Sequence, residues 1–127
     1  MISHTESDVA NACDTMAVAL GWTVERYEQR RASRICEGLP DRRYVHRGRG
    51  LRVWVELKKP GGKLTLDQHR WLIAEQQCNA HAICADSVLV LQHLFQLLSR
   101  DAGRGAALHY CVETTNLIAS RGYRRAA

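Results

Sequence analysis

Residues 38–68 read GLPDRRYVHRGRGLRVWVELKKPGGKLTLDQ, and this stretch decides the fold. Asp41, directly after Pro40, opens a strand expected to run to His46. Arg47-Gly-Arg-Gly50 turns the chain, and Arg52 to Lys58 returns antiparallel as the next strand. Side chains two apart on a strand share a face, so Trp54, Glu56 and Lys58 point one way while Val53, Val55 and Leu57 point the other. With Asp41 at the start of the neighbouring strand, two carboxylates and an ammonium converge at one end of the sheet. Hard divalent cations such as Mg²⁺ seek oxygen sites of this kind, taking one or two carboxylates and keeping several waters.

Downstream, Pro60-Gly61-Gly62 ends the strand, and Thr65-Leu-Asp-Gln68 has the form of a capping box that opens a helix to about Cys78. Leu64, Trp71, Leu72 and Ile73 supply its apolar contacts, with Asn79 as the stop. His81 to Ala85 reads as a short buried strand. Ser87 caps a helix from Val88 to Ser99 whose many leucines imply burial over much of its circumference. Asp101 to Gly105 is a loop, Ala106 to Val112 is expected to form one more strand, and Asn116 onward is a short helix or a frayed basic end.

Upstream, Thr5-Glu-Ser-Asp8 starts a helix with acids at its positive end. Val9, Ala12, Cys13, Met16 and Ala17 form its stripe, Leu20 closes it and Gly21 stops it. Trp22 to Tyr27 alternates like a strand, and 28–36 is a basic loop. The expected order is α-β-β-β-α-β-α plus a tail at 101–127, an α/β domain with a mixed central sheet and helices on both faces. The crossover from the Glu56 strand through the Thr65 helix to the His81 strand favours a parallel, right-handed connection.

The motifs narrow this further. Gly38-Leu39-Pro40-Asp41, fourteen residues, then Glu56-Leu57-Lys58, followed by Gly62-Lys63-Leu64-Thr65 and Gln68, resembles the PD-(D/E)xK nuclease core. It is most similar to the VRR-NUC branch and its small stand-alone phage and bacterial members, over about residues 5–98. The resemblance implies a restriction-endonuclease-like core. It also implies Mg²⁺ or Mn²⁺ held by Asp41, Glu56 and the main-chain carbonyl of Leu57, with Lys58 positioning the attacking water. It places Gln68 near the active centre and gives the first-helix acid as Glu6, with no organic cofactor. The small members are associated with cutting four-way (Holliday) junctions as homodimers, which makes branched DNA the expected partner.

Each residue also has a plainer reading. Asp41 alone would be a turn residue. Glu56, in an otherwise apolar strand, needs a metal or a cation, and Lys58 or an arginine could serve. Lys58 could be a snorkelling surface lysine, Gln68 a capping residue, and Glu6 a favourable first-turn charge.

At 127 residues the chain is long enough for one domain with one core. The formal charge of +5 is carried mainly by arginine, lysine standing only at 58, 59 and 63. Arg30, Arg31 and Arg34, just before Asp41, are the expected phosphate clamps, contacts that hold backbone without reading bases. Five cysteines, at 13, 36, 78, 84 and 111, make no even disulfide framework and act as small core hydrophobes. Cys78-Asn-Ala-His81-Ala-Ile-Cys84 fits no common zinc site. No apolar run approaches ~18 residues, so neither a membrane span nor a secretory segment is expected, and the setting is cytoplasmic. Two other functions fit the same residues: a sequence-specific restriction-type nuclease, and a nucleic-acid-binding module that keeps the arginines but needs no acid pair. For the homodimer, the apolar surplus of the Val88–Leu98 helix, with Leu108, Tyr110 and Val112, offers surface.

Overall fold

The structure, a computed structural model, describes residues 4–27 and 37–125. Helix α1 (Glu6–Ala19) begins where the sequence places a cap. Thr5 Oγ1 accepts from Asp8 N at 3.1 Å, and Asp8 Oδ2 accepts from Thr5 N at 2.8 Å. Two of the orphan donors of the first turn are thereby satisfied. Val9, Cys13 and Ala17, each four residues on, are its buried stripe. Ala12 lies outside that stripe, and Leu20 does not close it but stands 52 % exposed, because Gly21 at φ +89° turns the chain away there.

Four strands follow the order β1-β2-β3-β4: β1 (Thr23–Arg26), β2 (Arg42–His46), β3 (Leu51–Leu57) and β4 (Ala82–Ala85). The first three are antiparallel neighbours, and β3 pairs with β4 in parallel through the crossover helix α2 (Leu66–Gln77). The turn between β2 and β3 is a 3₁₀ turn at Arg47–Arg49 closed by Gly50 at φ +66°. Helices α3 (Val88–Leu98) and α4 (Arg104–Ala119) complete the chain. This is an α/β fold with a mixed sheet flanked by helices. Tyr44, Val53, Val55, Leu57 and Ile83 pack on one side with α1 and α3. On the other, Leu64, Leu72, Ala82, Cys84 and Ile118 form a smaller core under α2 and α4.

The order departs from expectation at its end. Residues 106–112 are not a strand but part of α4, so the expected α-β-β-β-α-β-α is short by one helix. The helical period is in the sequence: Ala107, Cys111, Thr115 and Ile118 are spaced four, four and three apart and are buried. Helices α4 and α2 together do for β4 what a further strand would have done. Thr115 Oγ1 accepts from Cys84 N at 3.2 Å, and Gln76 Nε2 donates to the Ala82 carbonyl at 2.8 Å. An exposed strand edge is thus occupied by side chains. Gly103 permits the tight α3–α4 turn, since a Cβ there would collide with the Leu97 carbonyl. Most leucines of α3 are consumed in the same way. Leu91, Leu94, Phe95, Leu97 and Leu98 are buried within the chain by α1 and α4, while Leu89 of the same helix stays exposed.

Of the described cysteines, Cys13, Cys84 and Cys111 are buried core residues, whereas Cys78 is exposed at the end of α2. Cys36 lies outside the described residues. Among the described residues no helix is long and apolar enough to cross a membrane.

Candidate active site

The β2–β3 ladder runs as far as Arg42 opposite Val55, so one step further Asp41 falls opposite Glu56. Both are almost fully buried, at 3 % and 1 % exposure. Asp41 is fixed to the partner strand by its side chain, Oδ2 accepting from Leu57 N at 3.0 Å. Glu56 Oε2 lies 3.4 Å from Lys58 Nζ and accepts from Gln68 Nε2 at 3.2 Å. Lys58 is itself buried, so its snorkelling alternative is excluded by the geometry.

Gln68 makes two contacts at once. Its Oε1 accepts from Thr65 N at 2.9 Å, completing the capping box of α2, while the amide nitrogen of the same group reaches Glu56. The N-terminus of α2 is thereby tied to the acid of β3. Gly38 accounts for the glycine of the motif: at φ +81° it lies against the first turn of α2, where a Cβ would collide with the Asp67 carbonyl. The GLPD segment and the LTLDQ segment therefore pack directly on each other, and Asp41 is held where α2 presents Gln68.

Glu6 comes from the other side. It stands in the exposed first turn of α1, and with Ser7, Ala10, Asp41 and Leu57 it lines a cavity of about 170 Å³. It also borders a cleft of about 510 Å³ formed with Lys58, Lys59, Lys63 and Arg124. Glu6 is therefore at the mouth of the site, between the buried acids and a cationic cleft. Arg30, Arg31 and Arg34 lie outside the described residues.

Two features were not anticipated. The first is the role of the basic end. Arg121 Nη2 pairs with Asp86 at 2.8 Å and its Nη1 donates to the Gly62 carbonyl at 3.1 Å; Arg124 N donates to the Leu64 carbonyl at 2.9 Å. Tyr123 Oη and His69 Nδ1 share a hydrogen bond of 2.7 Å. The segment after α4 is thus folded over the 59–65 loop and brings Arg124 to the cleft. The second is a buried cluster that seats α1 on β2. Asp14 takes Arg42 Nε at 3.2 Å, Arg26 Nη2 at 3.2 Å and the Tyr44 hydroxyl at 2.7 Å. Burial, then donation to Asp14, pushes the Tyr44 hydroxyl well above its ordinary pKa. Arg42 and Tyr44 alternating with Arg43 and Val45 was the available signal, because an arginine on the inward face demands a buried acid.

The donor set suits a hard cation. Two carboxylates and the Leu57 main chain lie together, the hard oxygen donors such a cation takes. Among the described residues no three His, Cys, Asp or Glu side chains gather closely enough to cage a metal. A cation here would therefore rest on the two acids, a main-chain carbonyl and waters, the partial shell that Mg²⁺ favours and Zn²⁺ does not. Comparison with protein families, curated proteins and solved structures finds no match to this chain.

Proposed function

We propose that the chain is a Mg²⁺- or Mn²⁺-dependent endodeoxyribonuclease of the PD-(D/E)xK type, similar to the VRR-NUC branch. Its substrate is branched DNA, four-way junctions above all, and it acts as a homodimer. The observation that carries the reading is the convergence of Asp41, Glu56, Lys58 and Gln68 at one sheet end, three of them ionisable and all nearly excluded from water. Stability alone does not account for burying such a set, since a buried ion pair rarely outperforms apolar packing.

Asp41, Glu56 and the Leu57 carbonyl would hold the cation. Once bound, it supplies Lewis-acid polarisation of a phosphodiester and a water of lowered pKa. The chain's own groups do the rest. Lys58, 3.4 Å from Glu56 Oε2, is held where its ammonium can orient a water and offset charge developing on the phosphate. Gln68 fixes the rotamer of Glu56 through one amide hydrogen, and the capping box fixes Gln68. Glu6, at the mouth, can accept a proton from or orient a second water. Lys59, Lys63 and Arg124 place positive charge where an entering phosphate backbone passes. The homodimer follows from arithmetic: one domain has one such cluster, whereas resolving a four-way junction takes two cuts related by a two-fold axis.

The test is cleavage of linear, flap and four-way DNA with and without Mg²⁺, with Glu56→Ala and Asp41→Ala as controls, alongside mass in solution with and without the junction. Both variants should lose cleavage by several orders of magnitude, equivalent to several kcal/mol of transition-state stabilisation, and keep DNA binding. Near-normal cutting by Glu56→Ala ends the proposal.

A further inference from the structure

On the face of the sheet that carries Glu56, the strand register sets side chains in rows. Asp41 and Glu56 form the row at the site. Glu25, Arg43 and Trp54 form the next, and Val45 with Arg52 the one beyond. Toward the β2–β3 turn the second and third of these rows floor an open groove of about 690 Å³, walled by Arg47 and His81. Two residues of strand advance about 6.7 Å, so Arg52 stands about 13 Å from the acid row, the axial span of roughly four nucleotides of a duplex strand.

The charges in the groove differ in what they are committed to. Arg43 pairs with Glu25 at 2.8 Å and lies over the Trp54 ring at 5.4 Å. Burial alone would raise Glu25, yet hydrogen bonds from Arg43 and Tyr27 bring its carboxyl below the ordinary range, so this acid is already neutralised from within. Arg47 and Arg52 are exposed, and among the described residues neither has an ion-pair partner. Arg47 adds to the field that lowers Glu25 but makes no ion pair with it. Two exposed guanidiniums without an ion pair among the described residues, with the Trp54 row between them and the acids, suit a phosphate backbone better than a compact anion.

We propose that this groove is the track for a nucleic-acid arm leaving the acid site, with Arg52 holding a phosphate about four nucleotides, and Arg47 one about six nucleotides, from the bond that Glu56 and Asp41 address. This rests on the nuclease reading and extends it, because it assigns the direction in which the substrate runs over the sheet: toward the β2–β3 turn. The test uses the cleavage-silent Glu56→Ala chain and fluorescence anisotropy of end-labelled duplex, single-stranded and four-way DNA across a salt series.

Adding Arg47→Ala and Arg52→Ala together should weaken binding about tenfold or more and flatten the slope of log K against log[salt] by about two. Arg100→Ala, an exposed arginine just beyond α3, should leave both unchanged. Neutral methylphosphonate linkages about four nucleotides from the cleaved bond should weaken the parent but not the double variant. Both groove residues are exposed, so folding should survive; the single Arg52→Gln change, with a slope smaller by about one, is the reserve measurement. An unchanged salt slope in the double variant overturns the proposal, as does equal competition by polyglutamate, which would mark a groove for acidic peptide. Loss of binding in the double variant when the wild-type chain shows no metal-dependent cutting would keep the groove and remove the nuclease. Cutting by the wild type with an unchanged salt slope would do the reverse.

Discussion

Lys58→Met separates the energetic role of the buried pair from its chemical one. Lys58 Nζ and Glu56 Oε2 are 3.4 Å apart, with side-chain exposures of 3 % and 1 %. Removing the ammonium leaves a buried carboxylate without its cation, a loss that typically costs about 3–5 kcal/mol. The Gln68 amide remains on the same oxygen at 3.2 Å and supplies a charge-assisted hydrogen bond worth about 1.5–3 kcal/mol. The expected cost is therefore at the lower end, about 3 kcal/mol. Glu56→Gln added to Lys58→Met removes the stranded charge and should recover most of that loss. The assay is urea unfolding of the four corners of this double-mutant cycle, repeated in millimolar Mg²⁺. A ligand that binds only the folded chain raises its stability by RT ln(1 + [L]/Kd). Without the competing ammonium, Glu56 should take the cation more tightly, so Mg²⁺ should stabilise Lys58→Met more than wild type and leave Glu56→Gln nearly unaffected. A loss below about 1 kcal/mol in Lys58→Met would refute the buried-pair energetics. Equal Mg²⁺ responses in Lys58→Met and Glu56→Gln would refute the cation site.

Three further outcomes follow from the packing. Gly38→Ala should cost about 1–3 kcal/mol, because φ is +81° and a Cβ meets the Asp67 carbonyl; thermal unfolding reads the cost, and cleavage should fall further than the lost stability explains. Thr115→Val keeps the shape but strands the Cys84 amide at the β4 edge, an expected loss of about 1–3 kcal/mol in urea unfolding with faster hydrogen exchange confined to β4. Among the described cysteines, Cys78 should react with a disulfide reagent in the native protein, whereas Cys13 and Cys111, pushed up from 9.0 to about 12 chiefly by burial, should react only on unfolding. Folded thiols of raised pKa hold their protons while the unfolded ones lose theirs. Stability should therefore be intact below about pH 9 and fall as pH rises toward about 12, which urea midpoints across that range would measure.

Much of the first hundred residues was legible because local signals and side-chain alternation agreed there. The helix start at Thr5, the capping box at Thr65, the Asn79 stop at φ +62°, the antiparallel hairpin and the parallel crossover stand where the residues put them, and the Thr5–Asp8 box adds to the first. The site was legible for a related reason. A glutamate between Val55 and Leu57 announces a buried charge, and strand alternation names Lys58 as its neighbour. What was not legible depended on contacts distant in sequence. Helix α4 has a run of small and mixed residues, Ala106 to Val112, whose period decides between strand and helix only once β4 offers an edge to be covered. Folding of Arg121 and Arg124 over the 59–65 loop rests on a carboxylate at Asp86 and on two main-chain carbonyls, none of which marks itself in the sequence.

Two buried charge clusters lie within a few residues of each other on β2 and β3, and the difference between them bears on function. Asp14 is surrounded by Arg42, Arg26 and the Tyr44 hydroxyl, the last at 2.7 Å, a short bond of the charge-assisted kind. Its donors come from β1 and β2, and their combined effect is to clamp α1 to the sheet, which is what carries Glu6 to the mouth of the site. Glu56 lies 3.4 Å from Lys58 and accepts from Gln68 at 3.2 Å, lengths close to those of the Arg42 and Arg26 contacts to Asp14. Beside it Asp41 lines a small cavity, and Lys58 borders a wider, cationic cleft. The two clusters differ in their surroundings rather than in bond length. A second acid across the strand and adjoining space are what a site needs if it is to admit a cation and a phosphate, whereas the contacts of Asp14 join a helix to the sheet.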